Sequence, residues 1–589
     1  MGKQISCFII AISTYILSSL SCSYAFSPNI PLNTLKAAQE ATIADATTKS
    51  KISTQSKIIR VGIGNQAFSS YVYKNAGIYA TAPLSIYQDG ILYKEVPANT
   101  NINVAINDDN SFRLATDNGE EIATLNGIIK FTTSGGLIGI KGLKRAGSPA
   151  LYRGYFEVIK TQNGNQFNIV NKIPVEQYLR GVVPNEMPVS FGLEALKAQS
   201  VAARNYVLSP RIKASPNYDV VDSVASQVYY GANTEKPLSD TAVSQTEGIV
   251  ALYDWDLILA LYSSTAGGYT ESYSNAFSDP QSGNFPSAEK PYLKAKPDML
   301  TQHKLNTESA AYDFYTSTKD AYDIRSPYYR WTREWTEEEL RNQLQSTLVA
   351  QSSTGFVKPT FTKDDILDEI IDIKVKHRGD SGKIIELELT TKTQEYKIYK
   401  ELVIRRTFTN NGKALPSANA VFEILRNDDD AITSIKAYGG GFGHGVGLSQ
   451  FGAGFMGSEL NLPFDKILQH YYTGIILGTV PVIVSSNKNQ NNIPQTFYAA
   501  KKHANIVIDN KFQVSSLDVN INGKDYSFNL PTSFFGGNRC IRVDISDYIK
   551  IGRNTIVFTY PENEAANKAV RLFIELVEKD DRDNIWERR

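Results

Sequence analysis

The stretch GVVPNEMP, residues 181–188, places one glutamate, Glu186, between two prolines. Each proline fixes its own φ and disfavours helical geometry at the residue before it, so the stretch predicts extended backbone. The segment LEALKAQSVAARNYV at residues 193–207 has its apolar side chains mainly on one face, which predicts a helix. A carboxylate held rigidly in such a strand-to-helix corner suits general acid–base catalysis. A solvated loop glutamate is the structural alternative.

The overall composition limits the classes of function. The chain has 589 residues, too many for one hydrophobic core, so about two to four domains are expected. Its 61 Lys and Arg residues balance 61 Asp and Glu residues, which argues against a nucleic-acid partner or binding to an anionic membrane surface. The 33 tyrosines and 26 phenylalanines favour a strand-rich protein.

The N-terminus has the pattern of an export signal. Lys3 precedes an apolar run at residues 7–17, and Ala25 offers a cleavage site, so residues 1–25 are predicted to be a signal peptide. Because no charged residue lies between Lys3 and Lys36, an uncleaved membrane anchor is the alternative.

The cysteines bear on the same region. Cys7 and Cys22 lie in the predicted leader, so cleavage leaves Cys540 alone, and neither a disulfide nor a cysteine-ligated zinc site is expected. Two weaker signals compete with simple export: Gly2 fits a myristoylation pattern, and Cys22 fits a poor lipoprotein site.

Changes in pattern along the chain predict its domains. Short apolar runs about ten residues apart indicate antiparallel strands, and Asn522-Gly523 between two alternating runs indicates a hairpin. With the predicted helices, this gives an α+β fold. The predicted divisions are the leader (1–25), a spacer (26–56), a β-rich region (57–145), a catalytic domain (146–480) with an insertion at about 297–365, a polar linker (481–496) and a C-terminal β-sandwich (497–589).

A glycine-rich segment, GGGFGHGVGLSQFGA at residues 439–453, is the second unusual stretch. Six glycines within nine residues allow a close backbone approach and positive φ around His444. The segment lacks the Lys-Ser/Thr ending of a phosphate loop and the setting of a dinucleotide fingerprint. A turn over an active site fits it, although a turn histidine without a role fits equally well.

Two further segments, DSVASQVYYG at residues 222–231 and YSSTAGGYTES at residues 262–272, cluster hydroxyl, amide and aromatic side chains with glycine. Such groups can bind the hydroxyl and N-acetyl groups of sugars, because they combine planar donors and acceptors with a flat apolar face. Taken separately, each segment is more typical of a polar turn than of a site.

The order of these segments carries a family resemblance. The motifs are VPNEMP (183–188), EALKAQSVAARNY (194–206), SQVYYG (226–231), STAGGYTE (264–271) and GHGVGLSQFGA (443–453). From about residue 150 to 478 the chain resembles the SpoIID/LytB family, the stage II sporulation protein D type of peptidoglycan enzyme. The C-terminal sandwich lies outside this resemblance.

The resemblance implies a lytic transglycosylase that acts on peptidoglycan glycan strands, in characterised cases strands stripped of stem peptides. It implies Glu186 as the catalytic acid, with a pKa raised by burial near Met187. Ser263 stands where many relatives have histidine, and the cysteines that can hold a metal in some relatives are absent, so we expect no metal and no other cofactor. The expected substrate-binding shell is His444, Gln450, Ser449, Arg204, Gln199, Ser264, Gln227 and Tyr229.

Two other functions stay open from the sequence. Some family members are described as enhancers of a cell-wall amidase, so the chain could bind glycan and stimulate such a partner without catalysis. It could also be an adhesive or structural protein of the envelope. Its functional domain would then be the C-terminal sandwich, which is vaguely similar to galactose-binding modules. All three interpretations place the protein outside the cytoplasmic membrane, in the periplasm or cell wall, with membrane contact only through an uncleaved leader. A role in sporulation does not follow from the resemblance.

Overall fold

The computed structural model describes residues 57–577, except 163, 211, 319, 488–489, 512, 532–539 and 561–567. The predicted leader and spacer lie outside the described residues. Within the described part, strands outnumber helices and form several separate sheets, so the predicted α+β class is confirmed. No helix there is long and apolar enough to cross a membrane.

The N-terminal part is a β-sandwich. Its strands are β1 (Ile58–Gly62), β2 (Asn75–Ala80), β3 (Leu84–Gln88), β4 (Ile91–Val96), β5 (Ile102–Ile106), β6 (Phe112–Thr116), β7 (Glu121–Leu125), β8 (Ile129–Thr133), β9 (Ile138–Arg145), β10 (Ser148–Tyr152), β11 (Tyr155–Lys160) and β12 (Phe167–Pro174), joined by β13 (Val220–Val221). One sheet has the order β13-β1-β12-β11-β8-β3-β4 and the other β10-β9-β2-β5-β6-β7. Side chains alternate along β5, where Ile102 and Val104 are buried and Asn103 is exposed, as expected for a sheet with one face on a core.

Three helices follow the sandwich: α1 (Val175–Glu186), α2 (Leu193–Leu208) and α3 (Pro237–Ser244). The residues of α2 are almost all buried, and Ala195, Ala198 and Ala202 are fully so. Because alanine adds little bulk, α2 packs closely against both α1 and α3. The helix at the centre of the domain is therefore the one that the alanine-rich pattern predicts.

One local prediction is wrong: residues 181–186 are helical, not extended. Pro184 lies in the last turn of α1, where its missing N–H removes only one helical hydrogen bond. The side-chain amide of Asn185 donates to the carbonyl of Gly181 at 2.7 Å, which satisfies one acceptor of this turn. Extended backbone begins at Met187, directly before the second proline. Glu186 is thus the last residue of a helix.

The rest of the central domain comes from two separate segments. The first contributes β14 (Val250–Tyr253), β15 (Asp256–Leu257), β16 (Tyr262–Ser263) and the one-turn α4 (Tyr273–Ala276). The second, after the insertion described next, contributes β26 (Leu448–Ser449), α8 (Gln450–Ser458), α9 (Phe464–Tyr471) and β27 (Ile476–Gly478). Strands β16 and β26 pair in parallel, with Tyr262 opposite Leu448. This pairing joins two motifs that lie almost 200 residues apart.

The insertion has its own hydrophobic core, which includes Trp331, Trp335 and Leu340. Its elements are α5 (Glu308–Tyr315), β17 (Trp331–Trp335), α6 (Glu337–Ser352), β18 (Val357–Lys358), β19 (Ile370–Arg378), β20 (Ile384–Thr391), β21 (Glu395–Tyr399), α7 (Glu401–Thr407), β22 (Thr409–Asn410), β23 (Lys413–Ala414), β24 (Ala420–Arg426) and β25 (Ile432–Gly439). The sheets β17-β25-β24 and β18-β21-β20-β19 both belong to it. The structured insertion therefore extends well beyond the predicted limit at about residue 365.

The C-terminal strands are β28 (Val482–Ser485), β29 (Ile493–Ala499), β30 (Ala504–Asp509), β31 (Ser516–Ile521), β32 (Lys524–Asn529), β33 (Cys540–Asp544), β34 (Gly552–Thr559) and β35 (Ala569–Leu576). Strands β31 and β32 form the hairpin predicted at Asn522-Gly523. One sheet, β29-β34-β31-β32, packs on a second that continues from β33, β30 and β35 into β27, β14 and β15. The C-terminal sandwich thus shares a sheet with the central domain, and the predicted linker contains β28.

Candidate active site

Glu186 ends α1, with part of its surface accessible to solvent. Its Oε1 accepts a hydrogen bond from the backbone N–H of Val228 at 2.6 Å, and the carboxylate also accepts one from the hydroxyl of Tyr262. The C-terminal end of a helix carries partial negative charge, so this position does not favour a carboxylate. The two hydrogen bonds fix the position of the carboxyl group.

Burial raises the pKa of Glu186 to about 7, and the hydrogen bonds from Val228 and Tyr262 oppose that rise. Within the described part of the chain no cation pairs with this carboxyl. The predicted direction of the pKa shift, and burial as its cause, are confirmed. A carboxyl group with such a pKa holds a proton near neutral pH and can also release it, which is the property required of a general acid that later acts as a base.

Tyr262 is oriented by a short chain of hydrogen bonds. The side-chain amide of Gln227 donates to the Tyr262 hydroxyl at 3.1 Å, and the hydroxyl of Tyr178 donates to the Gln227 carbonyl at 3.1 Å. Because Gln227 supplies the proton in its bond with Tyr262, the hydroxyl proton of Tyr262 is directed to Glu186. The chain Tyr178–Gln227–Tyr262 therefore ends on the candidate acid.

His444 supports the backbone of the same tyrosine. Its Nδ1 accepts the N–H of Val446 at 3.0 Å, and its ring N–H binds the carbonyl of Tyr262. Burial lowers the pKa of His444 to about 4, so the ring is neutral at physiological pH, with the proton on Nε2. The edge of the ring contacts Phe277, with centroids 5.3 Å apart. His444 thus positions Tyr262 rather than carrying charge.

The glycine-rich segment allows this arrangement because its backbone passes close to β16. Gly443 has φ of 107°, and a Cβ atom at this position would lie 2.8 Å from the Cβ of Ser263. A larger residue would push the segment away from Tyr262. Ser263 is therefore covered by this segment.

The eight predicted substrate-binding residues fall into two groups. His444 and Ser264 keep part of their surface accessible, and the Ser264 carbonyl accepts the N–H of Phe451 at 3.1 Å. The other six are buried: Gln199, Arg204, Gln227, Tyr229, Ser449 and Gln450. The six buried side chains therefore have a structural position and do not offer a surface to which a glycan strand could bind.

Two of the buried side chains form hydrogen bonds with groups that lie away from Glu186. Arg204 makes a bidentate ion pair with Glu176, at the opposite end of α1 and about 15 Å along the helix axis from Glu186. The hydroxyl of Tyr229 donates to Asn171 at 2.8 Å, in the core of the sandwich. Neither side chain is brought to the acid.

The other buried residues join helices around the site. Gln450 donates to Gln199 at 3.3 Å and so links α8 to α2. The hydroxyl of Ser449 accepts the N–H of Gly452 and caps the start of α8. Among the described residues no group of three or more His, Cys, Asp or Glu side chains has a geometry suited to a metal ion.

Sequence reasoning missed the two groups that touch Glu186 directly. Tyr262 is the first residue of the segment 262–272, but nothing in the local sequence pattern distinguishes it from the other tyrosines. The N–H of Val228 is a backbone group and has no sequence signal. Both are found only when the segments 222–231 and 262–272 are seen to meet at the end of α1.

Comparison with known proteins finds a family model that covers the residues around Glu186. Residues 163–253 match the family model described as SpoIID, Stage II sporulation protein. The expected resemblance to the SpoIID/LytB family is confirmed. Residues 280–447, which include the insertion and His444, match a second family that is described as a domain of unknown function.

Three relatives show how far the similarity to SpoIID/LytB proteins extends. Stage II sporulation protein D of Bacillus subtilis (strain 168) is 29% identical over 322 residues, which cover 52% of this chain and 74% of the relative. The Amidase enhancer of the same organism is 31% identical over 329 residues, 51% of this chain and 40% of the relative. An uncharacterized protein of Brachyspira hyodysenteriae (strain ATCC 49526 / WA1) is 27% identical over 312 residues. The chain thus spans less than half of the Amidase enhancer's length.

Proposed function

We propose that the protein is a peptidoglycan lytic transglycosylase that cleaves MurNAc–GlcNAc bonds of glycan strands, preferably strands without stem peptides. The observation that carries the proposal is Glu186, a partly exposed residue at the end of α1 whose carboxyl group is held by two hydrogen bonds and has a pKa of about 7. Similarity to the SpoIID/LytB family supports the choice of substrate. No cofactor is part of the proposal.

In the proposed reaction, one carboxyl group performs both proton transfers. Protonated Glu186 gives its proton to the glycosidic oxygen, and the bond from that oxygen to C1 of MurNAc breaks. The resulting carboxylate then takes the proton of the C6 hydroxyl of the same MurNAc, while O6 bonds to C1 and closes a 1,6-anhydro ring. No water is consumed, and Glu186 ends protonated as it began. The hydrogen bonds from Val228 and Tyr262 favour the carboxylate between the two transfers.

A second candidate is a non-catalytic role as a glycan-binding enhancer of a cell-wall N-acetylmuramoyl-L-alanine amidase. The relative named Amidase enhancer motivates it. In either role the protein would act outside the cytoplasmic membrane, in the periplasm or the cell wall, with the N-terminus as signal or anchor. A sporulation role is not part of either proposal.

Mass spectrometry of purified glycan strands, digested with and without an amidase, tests both roles. Release of 1,6-anhydro-MurNAc ends by the protein alone supports the transglycosylase, and the Glu186→Gln variant should release none. Acceleration of the amidase without anhydro ends would contradict the transglycosylase and support the enhancer.

A further inference from the structure

The segment that carries His444 is held from two sides. We call residues 439–447 the glycine loop. On one side, Phe442 exchanges backbone hydrogen bonds with Thr265 of the central domain, at 2.9 and 3.3 Å. On the other side, the N–H of Gly441 donates to the carbonyl of Tyr328, in the insertion, at 2.8 Å. The insertion therefore forms part of the wall next to the candidate acid.

Two aromatic rings meet at this junction. Phe442 and Tyr328 are stacked, with ring centroids 4.4 Å apart and planes inclined by 20°. Phe442 is 39% exposed, and Tyr328 is partly exposed. The pair therefore leaves part of its ring surface open to solvent. An exposed, rigid apolar surface beside a polar site is suited to a ligand that has both apolar and polar faces.

The aromatic pair is connected to Glu186 through the glycine loop. Thr265, which pairs with Phe442, follows Tyr262 by three residues, and such a span is at most about 10 Å. Tyr262 contacts the Glu186 carboxyl through its hydroxyl, and His444, two residues after Phe442, binds the Tyr262 carbonyl. The loop that carries Phe442 therefore also holds the tyrosine that contacts the candidate acid.

We propose that Tyr328 and Phe442 form an aromatic platform on which a sugar ring of the glycan strand stacks. A pyranose ring has a face of C–H bonds that packs on an aromatic ring while its hydroxyl groups remain in water. The platform gives the insertion a direct part in substrate binding. This inference rests on the proposed function, because it takes the glycan strand as the ligand.

Binding is measured on the full chain carrying Glu186→Gln, with soluble peptide-free glycan strands as the probe. Phe442→Ala and Tyr328→Ala should each raise Kd about fivefold to tenfold, the size of a typical aromatic stacking contribution. Phe442→Tyr and Tyr328→Phe should restore binding to within about twofold. Tyr93→Ala is the matched control, since Tyr93 is a 48% exposed aromatic residue on the N-terminal sandwich, and its Kd should not change.

Turnover is measured in the background with Glu186 intact. The two alanine variants should raise KM by the same factor and leave kcat within about twofold, because the platform binds substrate and reacting state alike. Thermal unfolding should show an unchanged Tm for both variants. Unchanged Kd and KM, or a loss of kcat at constant KM, would overturn the platform.

The outcomes separate this inference from the proposed function. If the chain forms anhydro ends but the alanine variants bind and turn over normally, the platform fails and the transglycosylase stands. If no anhydro ends form but the alanine variants lose glycan binding, the platform stands and the transglycosylase fails. If the native chain forms no anhydro ends and the Glu186→Gln chain binds no glycan, both are contradicted.

Discussion

The two ends of helix α1 place a glutamate in opposite electrostatic surroundings. At the N-terminal end, Glu176 receives two hydrogen bonds from the buried guanidinium of Arg204, at 2.8 and 2.6 Å. At the C-terminal end, Glu186 receives one backbone N–H and one tyrosine hydroxyl, and within the described part of the chain no cation. The helix dipole adds to the contrast, because it favours a carboxylate at the first end and disfavours it at the second.

The difference between these surroundings shows how one helix can carry one carboxylate that stabilises the fold and one that is suited to proton transfer. Glu176 has a full counter-charge, the guanidinium of Arg204, which binds both of its carboxylate oxygens. Neutral donors hold Glu186 in place without fixing its charge, so burial sets its pKa near 7. The four predictions that follow test this contrast, beginning with the largest expected effect.

Replacing the acid should remove activity. Glu186→Gln keeps the size of the side chain but cannot transfer a proton, so release of anhydro ends should fall by about 10²- to 10⁴-fold. The measurement is anhydro-sugar release from peptide-free glycan strands by mass spectrometry. Glu176→Gln is the matched control at the other end of α1, and any activity it loses should follow the loss of folded protein. Undiminished release by Glu186→Gln would remove this residue from the site.

Breaking the ion pair between Arg204 and Glu176, at the N-terminal end of α1, should reduce the stability of the fold. Arg204→Met leaves the Glu176 carboxylate without its partner and the carbonyl of Ile249 without its donor, which should destabilise the central domain by about 3–5 kcal/mol. The double variant with Glu176→Gln should recover part of this loss. Urea unfolding followed by far-UV circular dichroism measures both. A loss below about 1 kcal/mol for the single variant would mean that the ion pair contributes little.

The pKa of Glu186 also makes stability depend on pH. Its pKa is raised from 4.5 in the reference state to about 7 in the folded state, so the folded chain binds more protons between these values. Relative to Glu186→Gln, the native chain should therefore lose stability as pH rises through this window, by about 3 kcal/mol above pH 7. The free energy of unfolding of the native chain and of Glu186→Gln is measured at pH 4.5 and at pH 8. The same difference between the two chains at both pH values would contradict the raised pKa of Glu186.

The smallest effect concerns Tyr262. Tyr262→Phe removes a hydrogen bond that favours the carboxylate, so the pKa of Glu186 should rise further, by less than about one unit. Because the first step needs protonated Glu186, kcat/KM should fall as pH rises through about 7, and in the variant this fall should occur at higher pH. The pH profile of kcat/KM is the measurement. A profile that does not move would show that the hydroxyl has no influence on the acid.

The contrast along α1 also shows what could be predicted. The sequence identified Glu186 and Arg204 together, because both stand in family motifs, and it assigned both to the site. In the structure Arg204 pairs with Glu176, at the other end of α1 from Glu186. A motif shows that a residue is needed for the domain, but not whether it is needed for chemistry or for packing.

The sequence by itself determined the features that depend on neighbouring residues. These are the α+β class, the alanine-rich helix α2, the hairpin at Asn522-Gly523 and the identity of the candidate acid. Each follows from local periodicity, turn chemistry or an ordered set of motifs. The extended backbone expected at Pro184 is the local exception, because a proline in the last turn removes only one helical hydrogen bond.

The tertiary structure decided everything that depends on which distant segments meet. It placed Val228 and Tyr262 on Glu186, set the surroundings that raise the pKa of that carboxyl, and joined the C-terminal sandwich to the central sheet. It also brought Tyr328 of the insertion against Phe442. Burial and hydrogen bonding at these contacts come from residues tens to hundreds of positions apart, and no local pattern encodes them.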